Sequence, residues 1–168
     1  MLQLSRSSKE YQEYCHDDGH YYSLQARTRS IGKTETNSID DEIERLLEKG
    51  EIVESIHEEG EFLSSIFTRP KRTGGYRMIL NLVKLNKLVE YHHFKMDRLQ
   101  AAMKLVQPHS FMTSIDLKDA YYSVPIHVDH QKYLKFVWKG VLHKFTALPN
   151  GLSSGPRLIT KLLKPPFL

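Results

Sequence analysis

The chain has 168 residues, 40% apolar and 26% charged, which suits one globular domain with its own core. Its single cysteine, Cys15, excludes an internal disulfide; no apolar run nears the ~18 residues of a membrane span, and the polar N-terminus is unlike a signal peptide, so a soluble, intracellular protein (cytoplasmic or nuclear) is expected. The net charge of +4 is unevenly spread, with nine bases and two acids in residues 69–104, eight and two in 118–164, but ten acids and two bases in 40–61, so two basic segments predict a polyanionic partner.

Residues 1–37 show no apolar period and predict a loose, disordered arm, with the folded domain covering 38–168. Within the arm, "CHDDGH" (15–20) has ligand-type residues but no second cluster at metal-site spacing, so a surface loop is expected. "GKT" (32–34) lacks the upstream glycine of a phosphate-binding loop, since Arg27 stands in its place. "SIDDEIERLLEKG" predicts a helix capped by Ser38 and stopped by Gly50, with Ile39, Ile43, Leu46 and Leu47 on one stripe. Strands are expected in "EIVESI" and "LSSIFTRP". "RPKRTGGYRMILNL" has the grammar of a hairpin with a basic Gly-Gly turn. "MDRLQAAMKLV" predicts a second helix capped by Asp97, and the adjacent His92 and His93 read as surface residues.

"FMTSIDL" (111–117) alternates, with Phe111, Thr113, Ile115 and Leu117 on one side and Met112, Ser114 and Asp116 on the other. A carboxylate there need not enter the core. It is either a strand-end acid paired with a base such as Lys118 or a ligand projecting into a cleft. Asp119 is expected to cap a short turn that starts at Ala120, and Tyr122 to be a core aromatic. "YLKFVWKGVLHKF" predicts a hairpin turning at Lys139-Gly140, with Leu134, Phe136 and Trp138 pairing with Val141, His143 and Phe145 on a common face. "LSSGPRLITKLL" predicts a serine-capped helix that buries Leu158, Ile159, Leu162 and Leu163. Helices and strands mix without βαβ alternation, so the fold class expected is α+β with an antiparallel sheet and packed helices.

Taken together, the basic hairpin, "SIDLKDAYY" and "LPNGLSSGPRLITKLLKP" resemble, from about residue 40 to 167, the reverse transcriptases of retroelements, and most of all the tyrosine-recombinase (DIRS-like) class of retrotransposons. The resemblance implies the fingers and part of the palm of a right-hand polymerase. It implies template-directed DNA synthesis, with two Mg²⁺ ions stabilising the charge of phosphoryl transfer. Asp116 then matches the first catalytic, metal-binding aspartate, and the carbonyl of Leu117 a backbone metal ligand. Tyr121 matches the ring that excludes a ribose 2′-hydroxyl. Arg77, Lys71 and Arg72 match the grip on an incoming deoxynucleoside triphosphate, and Asn150 and Gly151 the loop beside it. Template–primer, RNA or DNA, is the implied partner, with further contact expected at the basic hairpin near Lys135 and Lys139.

The family's second motif, a tyrosine and two aspartates on a hairpin, has no match in the sequence: Asp17-Asp18 lies in the arm and Asp40-Asp41 opens a helix. The 168 residues alone are therefore expected to be inactive, as a truncated product or a piece of a polyprotein that needs the remainder of the polymerase chain. The alternative is a non-catalytic nucleic-acid-binding or interaction module derived from such a polymerase.

Overall fold

The computed structural model describes residues 32–163 apart from 73, 91, 96–99, 101, 102, 105, 108 and 110. Residues 1–31 of the expected arm and most of the helix expected over "MDRLQAAMKLV" lie outside the described residues, whereas residues 33–37, read as the end of that arm, belong to the first helix.

Helix α1 (Lys33–Glu48) buries Ile39, Ile43 and Leu46, three positions of the stripe that the period predicts, and Leu47 packs at its margin. It starts earlier than Ser38. Gly32 is the N-cap, with its N–H bonded to Glu35, while the Ser38 hydroxyl, now inside the helix, donates back to the Thr34 carbonyl. The end is as expected. The amides of Gly50 and Glu51 close onto the carbonyls of Leu47 and Leu46, the paired bonds of a Schellman stop.

The antiparallel pairs β2 (Ile66–Pro70) with β3 (Tyr76–Leu80), and β4 (Lys135–Trp138) with β5 (Val141–Phe145), are the two hairpins read from the sequence. Strand β1 (Ile52–Glu54) joins the far edge of β5, giving a sheet of order β1-β5-β4 beside the two-stranded sheet. In β4–β5 the turn residues Lys139 and Gly140 both have positive φ, the geometry that suits a two-residue hairpin loop. Phe136 faces His143 and Trp138 faces Val141, as the alternation predicts.

Helices α2 (Val83–Leu88), α3 (Val128–Gln131) and α4 (Gly155–Leu163) complete the described elements. One core serves both sheets: Ile39, Ile43 and Leu46 meet Ile52, Leu80, Leu85, Leu134, Phe136, Phe145, Leu148 and Leu152. On α4, Leu158 and Ile159 pack against this core, but Leu162 is exposed, which corrects the expected buried face. Ser154 stands at the cap position of α4, its carbonyl accepting from Leu158, yet its hydroxyl is buried without a hydrogen-bond partner. The fold is thus mixed helix and antiparallel sheet. No helix among the described residues is long and apolar enough to cross a membrane.

His143 shows what the core costs. It is buried and stacked on Phe136, its Nδ1 has no hydrogen-bond partner, and burial pushes its imidazole down from the usual range. The unfolded chain takes up a proton near pH 6.5 while the folded chain resists it. Stability from this group is therefore intact above about pH 6.5 and is lost as pH falls toward the lower folded value. Urea midpoints at about pH 7.5 and pH 5.5 should differ in the parent and nearly coincide in His143→Phe. An equal acid loss in both chains would rule out His143 as its source.

Candidate functional site

The β2–β3 hairpin has two unlike faces. Ile66, Met78 and Leu80 belong to the core, while Phe67, Arg69 and Arg77 are exposed. The tip is a tight turn, in which the Lys71 amide donates to the Gly75 carbonyl and the Gly74 amide to the Lys71 carbonyl. Gly74 and Gly75 have φ of 89° and 75°, a region that side chains with a Cβ rarely enter, so the glycines are what bring Lys71 and Arg72 to the tip. Register places Arg69 directly opposite Arg77. Like charges facing across a ladder repel, and among the described residues none of Arg69, Lys71, Arg72 and Arg77 has an acidic partner. The Arg69 guanidinium lies 5.8 Å from the centre of the Phe67 ring. An anion would offset such a cluster, and guanidinium forks suit phosphate. Arg69 was missed in the sequence because only strand register shows that it faces Arg77.

Three residues beyond Arg77 on the same strand, a distance of about 10 Å, Leu80 lies beside Gly151, whose φ is 101°. The loop carrying Asn150 and Gly151 is held by Asn86 of α2. Its side-chain amide donates to the Gly151 carbonyl at 2.9 Å and its side-chain oxygen accepts from the Ser153 amide at 2.8 Å. Asparagine inside a helix favours local backbone bonding over helix stability, and that misfit in "VKLNKL" is the signal that points to it. Asn150 is exposed.

Tyr122 is a core aromatic, as expected: it stacks on Phe145, and burial pushes its phenol up to about 12. Tyr121 is half-buried and packs against the start of α4. Tyr121 and Leu80, at the end of β3, both pack into the one core.

Asp116 and Leu117 differ from expectation in their backbone. Residues 111–117 form no strand and are exposed throughout. An alternating segment becomes a strand only when a neighbour takes up its backbone bonds, and none of the described strands pairs with it. Asp116 projects into solvent with no ion-pair or hydrogen-bond partner among the described residues, so the pairing with Lys118 is not formed. Asp119 is not a cap. With φ of 54°, it turns its carboxylate to Lys49 and Arg45 at the end of α1, and the Lys49 hydrogen bond holds it below the usual carboxylate range.

Among the described residues no group of three or more His, Cys, Asp or Glu is placed to hold a metal ion. One free carboxylate does not fit a two-Mg²⁺ site, whose ions need several oxygen ligands each. The second basic hairpin is also corrected. Lys135 is fully buried between Glu58 and Glu61, and Lys139 bonds Asp40, so neither offers a free cation.

No protein-family model matches the chain. Its sequence is 28% identical over 129 residues to the Pol polyprotein of equine infectious anemia virus (isolate 1369), covering 73% of this chain and 11% of the polyprotein. It is 24% identical over 135 residues to the transposon Tf2-3 polyprotein of Schizosaccharomyces pombe, covering 80% of this chain and 10% of that one. The similarity is to the pol region of retroelements. The chain spans about a tenth of the length of those polyproteins. Among solved structures, the protease-reverse transcriptase of prototype foamy virus matches with a TM-score of 0.66 and 22% identity, over 79% of this chain and 18% of that one. A foamy viral protease-reverse transcriptase in complex with dsDNA matches with a TM-score of 0.63 and 26% identity, over 80% of this chain and 28% of that one.

Proposed function

We propose that the chain is the fingers and first part of the palm of a retroelement reverse transcriptase, of the tyrosine-recombinase class that "LPNGLSSGPRLITKLLKP" resembles. The observation that carries this reading is the unpaired basic hairpin whose strand β3 ends beside the Asn86-held Gly151 loop. Arg77, Lys71 and Arg72 grip the triphosphate of a deoxynucleotide, and Arg77 does so bidentately, which positions the reacting phosphorus. Asn150 and Gly151 offer backbone at close range, and Tyr121 stands where a 2′-hydroxyl would project. Template–primer is the macromolecular partner. Foamy viral relatives of this fold are known in complex with dsDNA and with an RNA/DNA hybrid, which supports a nucleic-acid partner here.

Asp116 and the Leu117 carbonyl would hold only part of a Mg²⁺ site, whose further carboxylates would come from the rest of a polymerase. The protein works inside the cell, in cytoplasm or nucleus. A non-catalytic binding module is the second reading, favoured by Asp116 standing, among the described residues, in no group of metal-ligating side chains.

Primer extension separates the two. The 168 residues alone should not extend a primer. Joined to the remaining palm and thumb of a relative, they should extend with Mg²⁺ and deoxynucleotides, and Asp116→Asn should abolish extension while nucleic-acid binding survives. Extension by the isolated chain, or a fully active Asp116→Asn fusion, contradicts the assignment.

A further inference from the structure

Gly155 opens α4, and its surroundings leave no room for a side chain. It is buried, and a Cβ built on it would lie 2.9 Å from Tyr121 Cε1, 3.5 Å from Tyr121 Cδ1 and 4.0 Å from Leu148 Cδ2. Side-chain carbons do not approach that closely without a shift. The start of α4 is poorly placed to yield. The Gly155 amide is bonded to the Leu152 carbonyl at 2.9 Å, and the Ser153 amide to Asn86 at 2.8 Å. Leu148 and Leu152 are themselves buried in the core. The ring of Tyr121, only half-buried, is therefore the partner that moves.

We infer that Gly155 is a specificity-determining residue: its missing side chain seats the Tyr121 ring against α4, in the position from which that ring tells a deoxyribose from a ribose. The inference rests on the gate role proposed for Tyr121. Gly155 itself touches no nucleotide and acts only through the ring. A methyl group at 155 displaces the ring by a fraction of an ångström to about 1 Å, a shift of the size that costs on the order of a hundredfold in rate where reacting groups are misplaced.

The test uses the full chain with template–primer and Mg²⁺, and titrates dATP and ATP into four proteins: parent, Gly155→Ala, Tyr121→Ala and the double variant. The parent should prefer dATP. Gly155→Ala should lower that preference by about tenfold or more, and should add nothing in the Tyr121→Ala background. The ring is followed without ligand by NMR of tyrosine side chains, where Gly155→Ala should shift the Tyr121 ring resonances while the remaining tyrosines stay in place. Unmoved Tyr121 resonances, or a parent-like preference in Gly155→Ala, overturn the inference even where Tyr121→Ala confirms the gate. So does an equal effect of Gly155→Ala with and without the ring. A parent that binds neither nucleotide, or prefers neither, overturns the gate itself and this inference with it.

Discussion

Lys135→Ala should cost the folded chain about 3 kcal/mol, the low end of the penalty for removing one partner of a buried ion pair. The Lys135 side chain has no exposed surface, and its ammonium lies 2.8 Å from Glu58, 2.8 Å from Glu61 and 2.8 Å from the Ile56 carbonyl. Glu61 is only 6% exposed and would be left buried, whereas Glu58, at 47%, can return to water. That difference sets the magnitude below the upper range.

Burial works to raise the Glu61 carboxyl, but the bonds from His57 and Lys135 outweigh it and hold it below the usual carboxylate range. Burial likewise works to lower Lys135, and its bonds to Glu58 and Glu61 raise it instead. A depressed acid gives stability that is present above its unfolded pKa of about 4.3 and lost as pH falls through the folded value. A raised base gives stability that is present below about 10.4 and lost as pH rises through its folded value. The network therefore holds across the neutral range. Urea unfolding near pH 7 measures the loss. Lys135→Met with Glu61→Gln, which removes the stranded charge, should recover most of it. A Lys135→Ala chain as stable as the parent would show that the pair is not buried in solution.

Lys135 also shows where sequence reading stops. In "YLKFVWKG" it alternates with apolar neighbours and reads as a cation on the outer face of a hairpin. Its burial depends on Glu58 and Glu61, more than 70 residues earlier, reaching β4 from a loop that has no period to predict it. The hairpins themselves were legible because their information is local: turn residues with positive φ flanked by alternating residues. The stripe of α1 was legible for the same reason, although its start was not, since Gly32 with Glu35 caps as well as Ser38 could.

The segment 111–117 failed as a strand in the opposite way. Its alternation is strong, but a strand also needs a partner for its backbone, and a pattern within one segment carries no information about that partner. Of the candidate site, the cations at the tip of the first hairpin and the Gly151 loop could be read from residue types. Asn86 and the facing Arg69 could not be weighed until the chain was folded, because each acts through a residue 8 to 67 positions away.

The second large effect concerns the polyanion itself. Lys71, Arg72 and Arg77, all exposed and without acidic partners among the described residues, should bind an RNA–DNA hybrid independently of its sequence. Each phosphate neutralised releases condensed counterions, so log K falls linearly with log salt, by somewhat under one unit of slope per contact. Replacing three contacting cations by alanine should make that slope shallower by about 2–3 and weaken binding at every salt concentration. Lys135→Ala and Lys139→Ala should leave the slope unchanged, since both ammonium groups are already paired within the fold. Titration of a labelled RNA–DNA hybrid between low and moderate salt, with the parent and the Lys71/Arg72/Arg77 triple alanine variant side by side, is the most direct measurement. A steep parental slope that flattens by about two to three in the triple variant is the expected result, whereas binding insensitive to salt, or a triple variant that binds as the parent does, would contradict a nucleic-acid-binding polymerase segment.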